Sequence, residues 1–148
     1  MMSELGRMFG KEEESNNIVE NLKRKLPEIR NLFERQRVAY FIWNQPYMLA
    51  ADNTFINYVL AYVGLNNAAQ GLDRYPEMHN IKLRELNPEF CFLSSEPFPF
   101  KEKHAKELQA ILPDSKILIV DGELFSWYGT RLLHLPRYLK ELKEKTGV

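Results

Sequence analysis

The residues that could do chemistry in this chain are few and scattered. Its three histidines are His79, His104 and His134, and its single cysteine is Cys91. No pair has the close spacing of a zinc motif, and one cysteine cannot form an intrachain disulfide. His104 lies in the charged run KEKHAKE and reads as a surface residue; His134 reads as packing or capping; His79 is the one histidine placed near a loop of interest. Cys91 sits inside an apolar run and reads as a buried structural thiol. Ser94-Ser95-Glu96 lacks the glycines that permit a strained nucleophile elbow. Asp121-Gly122 is an isolated pair, and no glycine-rich phosphate loop is present. The pattern therefore gives no catalytic set and no metal site, and it predicts a binding protein rather than an enzyme. An enzymatic role would rest only on a few polar residues, Asn44, Glu96, Glu123 and Arg131.

What remains is a set of aromatic residues with a few polar companions. Trp43, Tyr47, Phe98, Phe100, Phe125, Trp127 and Tyr128 fall at or beyond the ends of apolar runs, near Asn44, Glu96, Glu123 and Arg131. Aromatic side chains offer large contact area at low entropy cost and stack on planar or macrocyclic ligands. The competing reading for each is that it anchors the core or a loop.

The elements that must position these residues follow from the apolar periodicity. Val38–Trp43, Glu89–Ser94 and Ile117–Val120 are short, continuous apolar runs, expected for strands buried on both faces. Helical patterns fall at Thr54–Val63, Ile81–Leu86, Lys101–Leu112 and about Thr130–Lys145, with Asp52 or Asn53 as the cap of the first. Ser3–Arg37 reads as one long helix, roughly 50 Å at about 1.5 Å per residue. Its apolar residues form two patches, Leu5, Met8 and Phe9, then Val19, Leu22, Leu26, Ile29 and Phe33, and Pro27 either kinks it or starts a second helix. The expected fold is α/β: a long N-terminal helix, then a three-layer α/β/α Rossmann-like lobe on a parallel sheet. Parallel strands end at one edge, which would collect Asn44–Tyr47, Ser94–Phe100 and Gly122–Tyr128 on a single rim.

Charge and composition add little direction. The chain has 148 residues, with 20 Lys+Arg and 20 Asp+Glu, so no global field favours nucleic acid or an acidic membrane surface. Met1–Gly10 has no apolar targeting core, as expected of a cytosolic protein or of a mature or truncated form.

Several ordered blocks resemble one family. LGRMFGKEEES at Leu5–Ser15, the block Ile42–Asn67, RYPEM at Arg74–Met78, LNPEFCFLSSEPFPF at Leu86–Phe100 and VDGELFSWYGTRL at Val120–Leu132 look like the C-terminal part of helical-backbone (class III) periplasmic binding proteins. These are the substrate-binding components of ABC importers for ferric siderophores, haem and cobalamin. The resemblance implies a linker helix over residues 1–37, a substrate-binding lobe over 38–148 and no N-terminal lobe. It implies a periplasmic or cell-envelope location, and ligand held between two lobes without protein metal ligands or a covalent cofactor. By position it implies ligand contacts at Tyr75, Glu123 and Trp127, with Trp43, Asn44 and Tyr47 bordering the crevice. Members carry a glutamate that pairs with arginines of the permease; here that position is Ile81, which puts permease docking in question. The alternative expectation is an interaction domain without transport function, forming a homodimer through its N-terminal helix to cover Leu5–Phe9.

Overall fold

The computed structural model describes residues Glu12–Ser126 and Gly129–Val148. The Leu5–Phe9 patch, Trp127 and Tyr128 lie outside the described residues. Helix α1, Glu12–Lys25, opens the described chain. It does not run on to Arg37 as its periodicity suggests. Pro27 enters the first turn of a 3-10 helix, Leu26–Ile29, and Asn31 and Arg35 take left-handed φ of 54° and 65°. Proline has no N–H to continue an α-helix, so the ladder stops there. The segment beyond is irregular, but its N–H groups are used: Asn31, Phe33 and Arg35 donate to the carbonyls of Tyr62, Val63 and Gly64 at 3.0, 2.8 and 2.8 Å.

Strand β1, Arg37–Trp43, is followed by β2, Tyr47–Leu49, then helix α2, Phe55–Tyr62. Short strands β3, Asn66–Asn67, and β4, Glu77–Met78, precede helix α3, Asn80–Leu86. Strand β5, Phe90–Ser94, helix α4, Glu102–Ile111, and strand β6, Lys116–Val120, follow. A short helix α5, Gly122–Ser126, a 3-10 turn, Gly129–Leu133, and helix α6, Leu135–Thr146, complete the chain. Pro136 stands at the first positions of α6, where a missing N–H costs no helical hydrogen bond.

The sheet order is β4-β2-β1-β5-β6, with β3 also paired to β1. β1, β5, β6 and β3 are parallel, as expected, but β2 is antiparallel to both β1 and β4. Asn44–Pro46 is too short for a crossover, so the chain turns straight back beside β1. Tyr47 therefore starts a strand rather than lying in a loop.

Alternation along the strands divides the core into two. Val38, Tyr40, Phe90, Phe92 and Val120 face one side, under α2 and α6; Ala39, Phe41, Cys91 and Leu93 face the other, under α3 and α4. This is the three-layer arrangement the sequence pattern predicts. Cys91 is fully buried, and burial pushes its thiol up to about 12, with a hydrogen bond from Ser115 opposing the shift.

The cap of α2 is Thr54, not Asp52 or Asn53. Its hydroxyl accepts from Asn57 N–H at 3.1 Å and donates to the Ala51 carbonyl at 2.7 Å. Asn53 instead donates to Asp73, and Asp52 accepts from Gly71 N–H, both tying down the neighbouring loop. Thr54→Ala should lower unfolding free energy by about 1 kcal/mol in denaturant titration, whereas Asp52→Ala and Asn53→Ala leave the α2 cap intact.

Candidate functional site

Strands β1, β5 and β6 end together at Trp43, Ser94 and Val120, and the loops leaving them share one edge of the sheet. Both the first and second loop carry a cis peptide, Gln45–Pro46 and Glu96–Pro97. On this edge stands an aromatic ridge. Trp43, 40% exposed, meets Phe98 edge-on at 5.6 Å; Phe98 meets Phe100 at 4.8 Å and His104 at 5.0 Å. Phe100 and His104 are buried and form the base; Phe98 and Trp43 form the accessible part.

His104 is thus not the surface residue that its charged neighbours suggest. Its Nδ1 accepts the Lys101 N–H at 2.9 Å, which caps α4, and its ring closes on two phenylalanines. The spacing Phe98-Pro99-Phe100 followed by His104 one helical turn into α4 was the available signal, masked by the lysines and glutamates around it.

Two hollows flank the ridge. One, about 550 Å³, is lined by Asn44, Tyr47, His79, Ile81 and Glu107 among others. The second, about 490 Å³, is lined by Ser95, Glu96, Ile119, Val120, Asp121 and Glu123. A wider hollow of about 710 Å³ opens beside Asn31, Arg35 and Asn66, at the start of β1. It lies at the opposite edge of the sheet, away from every aromatic of the ridge.

The second flanking hollow carries the charge. Glu123 forms an ion pair with Arg131, joining α5 to the 3-10 turn that follows it. Glu96 stands beside them. Its carboxyl is held above the ordinary carboxylate range, first by partial desolvation and then by the Glu123 and Asp121 carboxylates, while Arg131 pulls the other way. The cluster can present a mixed donor and acceptor surface to a bound molecule.

The floor beneath is a polar network. Ser94 Oγ donates to the Glu96 carbonyl at 2.5 Å and accepts from Tyr40 Oη at 3.3 Å and from Glu96 N–H at 3.3 Å. Ser95 Oγ accepts from Gly122 N–H at 3.0 Å, and Tyr138 Oη accepts from Asp121 N–H at 2.8 Å. A Cβ on Gly122 would collide with Ser94 Oγ and lie 2.9 Å from the Glu96 nitrogen. Glycine is required there by close approach of the two strand ends, and Ser94 is structural.

Several sequence-selected residues are not brought to this rim. Phe125 is fully buried, with its ring at 5.2 Å from Tyr40 and 6.2 Å from Phe92, so it belongs to the core and not to a ligand surface. The reason is that α5 starts directly after β6 and turns Leu124 and Phe125 inward. Tyr75 is 41% exposed but lies beside β2, where Ala51 and Leu49 bond to its neighbours Arg74 and Pro76, level with the middle of the sheet. Tyr47 is half-buried against Phe41 at 5.6 Å. Trp43, Asn44, Glu96, Phe98, Glu123 and Arg131 do gather around the strand ends. Ile81 is 71% exposed at the mouth of the first hollow. Among the described residues no group of three His, Cys, Asp or Glu side chains is placed to hold a metal ion.

An α/β lobe whose parallel strands end on one aromatic and charged rim presents an edge of the kind where ligands bind. The family described as "Periplasmic binding protein" matches residues 1–113, and the chain belongs to it. No curated protein sequence gives a match. Among solved structures, the periplasmic haem-binding protein BhuT, in complex with two haems, aligns with a TM-score of 0.82 at 16% identity, over 99% of this chain and 61% of that one. The haem-binding protein RhuT from Roseiflexus sp. RS-1 gives 0.82 at 14% identity, over 99% and 62%. A protein of an ABC-type Fe3+-hydroxamate transport system from Saccharomonospora viridis DSM 43017 gives 0.69 at 16%, over 99% and 54%. These likenesses establish a shared fold, and this chain spans less than two thirds of each of those proteins.

Two outcomes test the site's construction. Gly122→Ala should destabilise the fold by about 1–3 kcal/mol in thermal or denaturant unfolding, because the methyl group would collide with Ser94 Oγ and press on the Glu96 backbone behind it. Carboxyl NMR should find Glu96 titrating above its ordinary value, and Glu123→Gln should lower it by removing the adjacent negative charge and leaving Arg131 closer to unopposed. An ordinary titration for Glu96 in the unmodified chain would contradict the geometry.

Proposed function

We propose that this chain is a substrate-binding lobe of an ABC-type importer for a metal chelate or corrinoid: a ferric siderophore, haem or cobalamin. The observation that carries the reading is the convergence of Trp43, Phe98, Glu96, Glu123 and Arg131 on one edge, in a chain of the periplasmic binding protein family. The names of the structural neighbours, two haem-binding proteins and an Fe3+-hydroxamate transport protein, agree with that ligand class. The exposed faces of Trp43 and Phe98 would stack on the ligand's planar or macrocyclic body, and the Glu96–Glu123–Arg131 group would meet its polar edge. Such a ligand carries its metal inside an organic shell, so the contacts required of the protein are aromatic and hydrogen-bonding.

In this reading residues 38–148 form one wall of a crevice, residues 1–37 are the linker, and a second lobe supplies the opposite wall. The location is the periplasm or cell envelope. Permease docking at the α3 corner would proceed without the acidic contact, since Ile81 stands exposed there.

The test is a fluorescence and absorbance titration of the chain with haemin, cobalamin and a ferric hydroxamate. Saturable quenching is expected with at least one of them, and Trp43→Ala should weaken it about tenfold, the usual loss for an aromatic anchor. No saturable response to any of the three, from this chain or from a two-lobed protein that contains it, overturns the reading.

A further inference from the structure

The charges around the rim are not evenly shared. Glu96, Asp121 and Glu123 line the hollow beside β6, and Glu107 lines the hollow beside β2. No lysine or arginine among the described residues lines either one. The cation that reaches these carboxylates is Arg131, and it is engaged by Glu123. Lys101, at the N-cap of α4, is exposed but stands outside both hollows. The chain as a whole carries 20 basic and 20 acidic residues, so the acidic excess is local to the rim. Matching cations are held elsewhere. Arg37 and Lys116, at the strand starts, donate to the carbonyls of Leu86 and Thr146 at 2.7 and 3.0 Å, and Lys140 pairs with Glu28 at 2.7 Å.

Helix dipoles would oppose this excess, because α4 and α5 both begin at this edge and present their positive ends to it. Each end is already answered. Glu102 and Glu123 stand in the two first turns, and the N–H groups of Gly122 and Glu123 donate to Ser95 Oγ and Asp121 Oδ1, both at 3.0 Å. Neighbouring groups feel the carboxylates that remain. Glu96 is raised first by partial desolvation and then by Glu123 and Asp121; Tyr47 is raised by burial and then by Glu107.

We propose that this rim selects its ligand by charge: it accepts a metal chelate that is neutral or cationic and carries no free carboxylate, and it disfavours anionic complexes, the two propionates of haem included. The inference rests on the ligand reading above and narrows it. Like charges brought together at a binding surface work against the wrong partner, and opposite ones steer the right one. The aromatic ridge cannot make this distinction, since Trp43 and Phe98 offer the same faces to a chelate of any charge.

The test uses one linear ferric trihydroxamate in three forms: with its terminal ammonium free, acetylated or succinylated. The iron centre and the chain stay constant while the charge runs from cationic through neutral to anionic. Titrated into the whole chain and followed by tryptophan quenching, affinity should fall in that order, by about twofold to fivefold per step at low salt. The spread should flatten at about 0.5 M salt. Glu96→Gln should raise affinity for the succinylated complex and lower it for the cationic one, a crossing that damage to the fold does not produce. Glu123→Gln, which removes the carboxylate engaged with Arg131, should shift the preference the same way. Equal affinities across the series, or tightest binding of the succinylated complex, overturn the charge selection and leave the importer reading standing. Saturation by haemin in preference to all three does the same. Silence towards the series, haemin and cobalamin alike, from this chain and from a two-lobed protein that contains it, removes the importer reading and this proposal with it.

Discussion

Strand β5 is buried at every position, Phe90 through Ser94, and the rest of the lobe follows from that. A strand with no access to water must give all its backbone groups to neighbouring strands and all its side chains to packed layers on both faces. It pairs in register with β1 on one side and β6 on the other, both parallel to it. Parallel neighbours need crossovers, the crossovers become the covering helices, and all three strands then end at one edge. The position of the rim is a consequence of burying FCFLS. The closeness of its parts is a consequence of Gly122, which lets the end of β6 approach Ser94 and Glu96 to within contact distance.

The parts of the fold most legible in the sequence are those where one physical requirement dominates. Each central strand is built on a short, continuous apolar run, and the structure places all three within a residue of their expected bounds. Where two requirements compete, the pattern misleads. Tyr47–Leu49 is a strand entered through a tight turn with a proline, so its polar approach reads as loop. The stripe Val19 to Phe33 keeps helical spacing past the end of the helix. Ile29 and Phe33 are core residues in either conformation, and periodicity does not register the missing amide of Pro27. His104 shows the same conflict from the other side. The charges around it are solvated, while its own ring is needed under Phe98.

The candidate site was legible as a location more than as a residue set. Strand direction alone puts Trp43, Glu96 and Glu123 near one another. It does not say which aromatic faces out. Phe98 and Phe125 both follow a strand closely, yet one is on the accessible ridge and the other is in the core. The difference lies in what leaves each strand. After β5 the chain runs through Ser95–Pro99 in a bent, proline-bearing loop that sets Phe98 against Trp43. After β6 it folds at once into α5, and a helix starting on the sheet must turn its apolar side chains back onto it. That distinction depends on loop geometry, and the spacing of aromatic residues does not carry it.

The two faces of the sheet carry separate layers of core. Phe98 and Phe100 pack onto the core beneath α3 and α4, with Phe41 and Leu93. Leu26, Ile29, Phe55 and Leu132 pack onto the core beneath α2 and α6, with Tyr40 and Phe92. The sheet stands between them, and its side chains alternate so that each strand residue serves only one layer. The Tyr40 hydroxyl, which donates to Ser94 from the core beneath α2 and α6, is the point where the floor of the rim is held by the opposite layer. Packing changes around Phe125 and Tyr40 would reach the rim through that bond, and through Tyr138, which fixes the backbone of Asp121 from the same side.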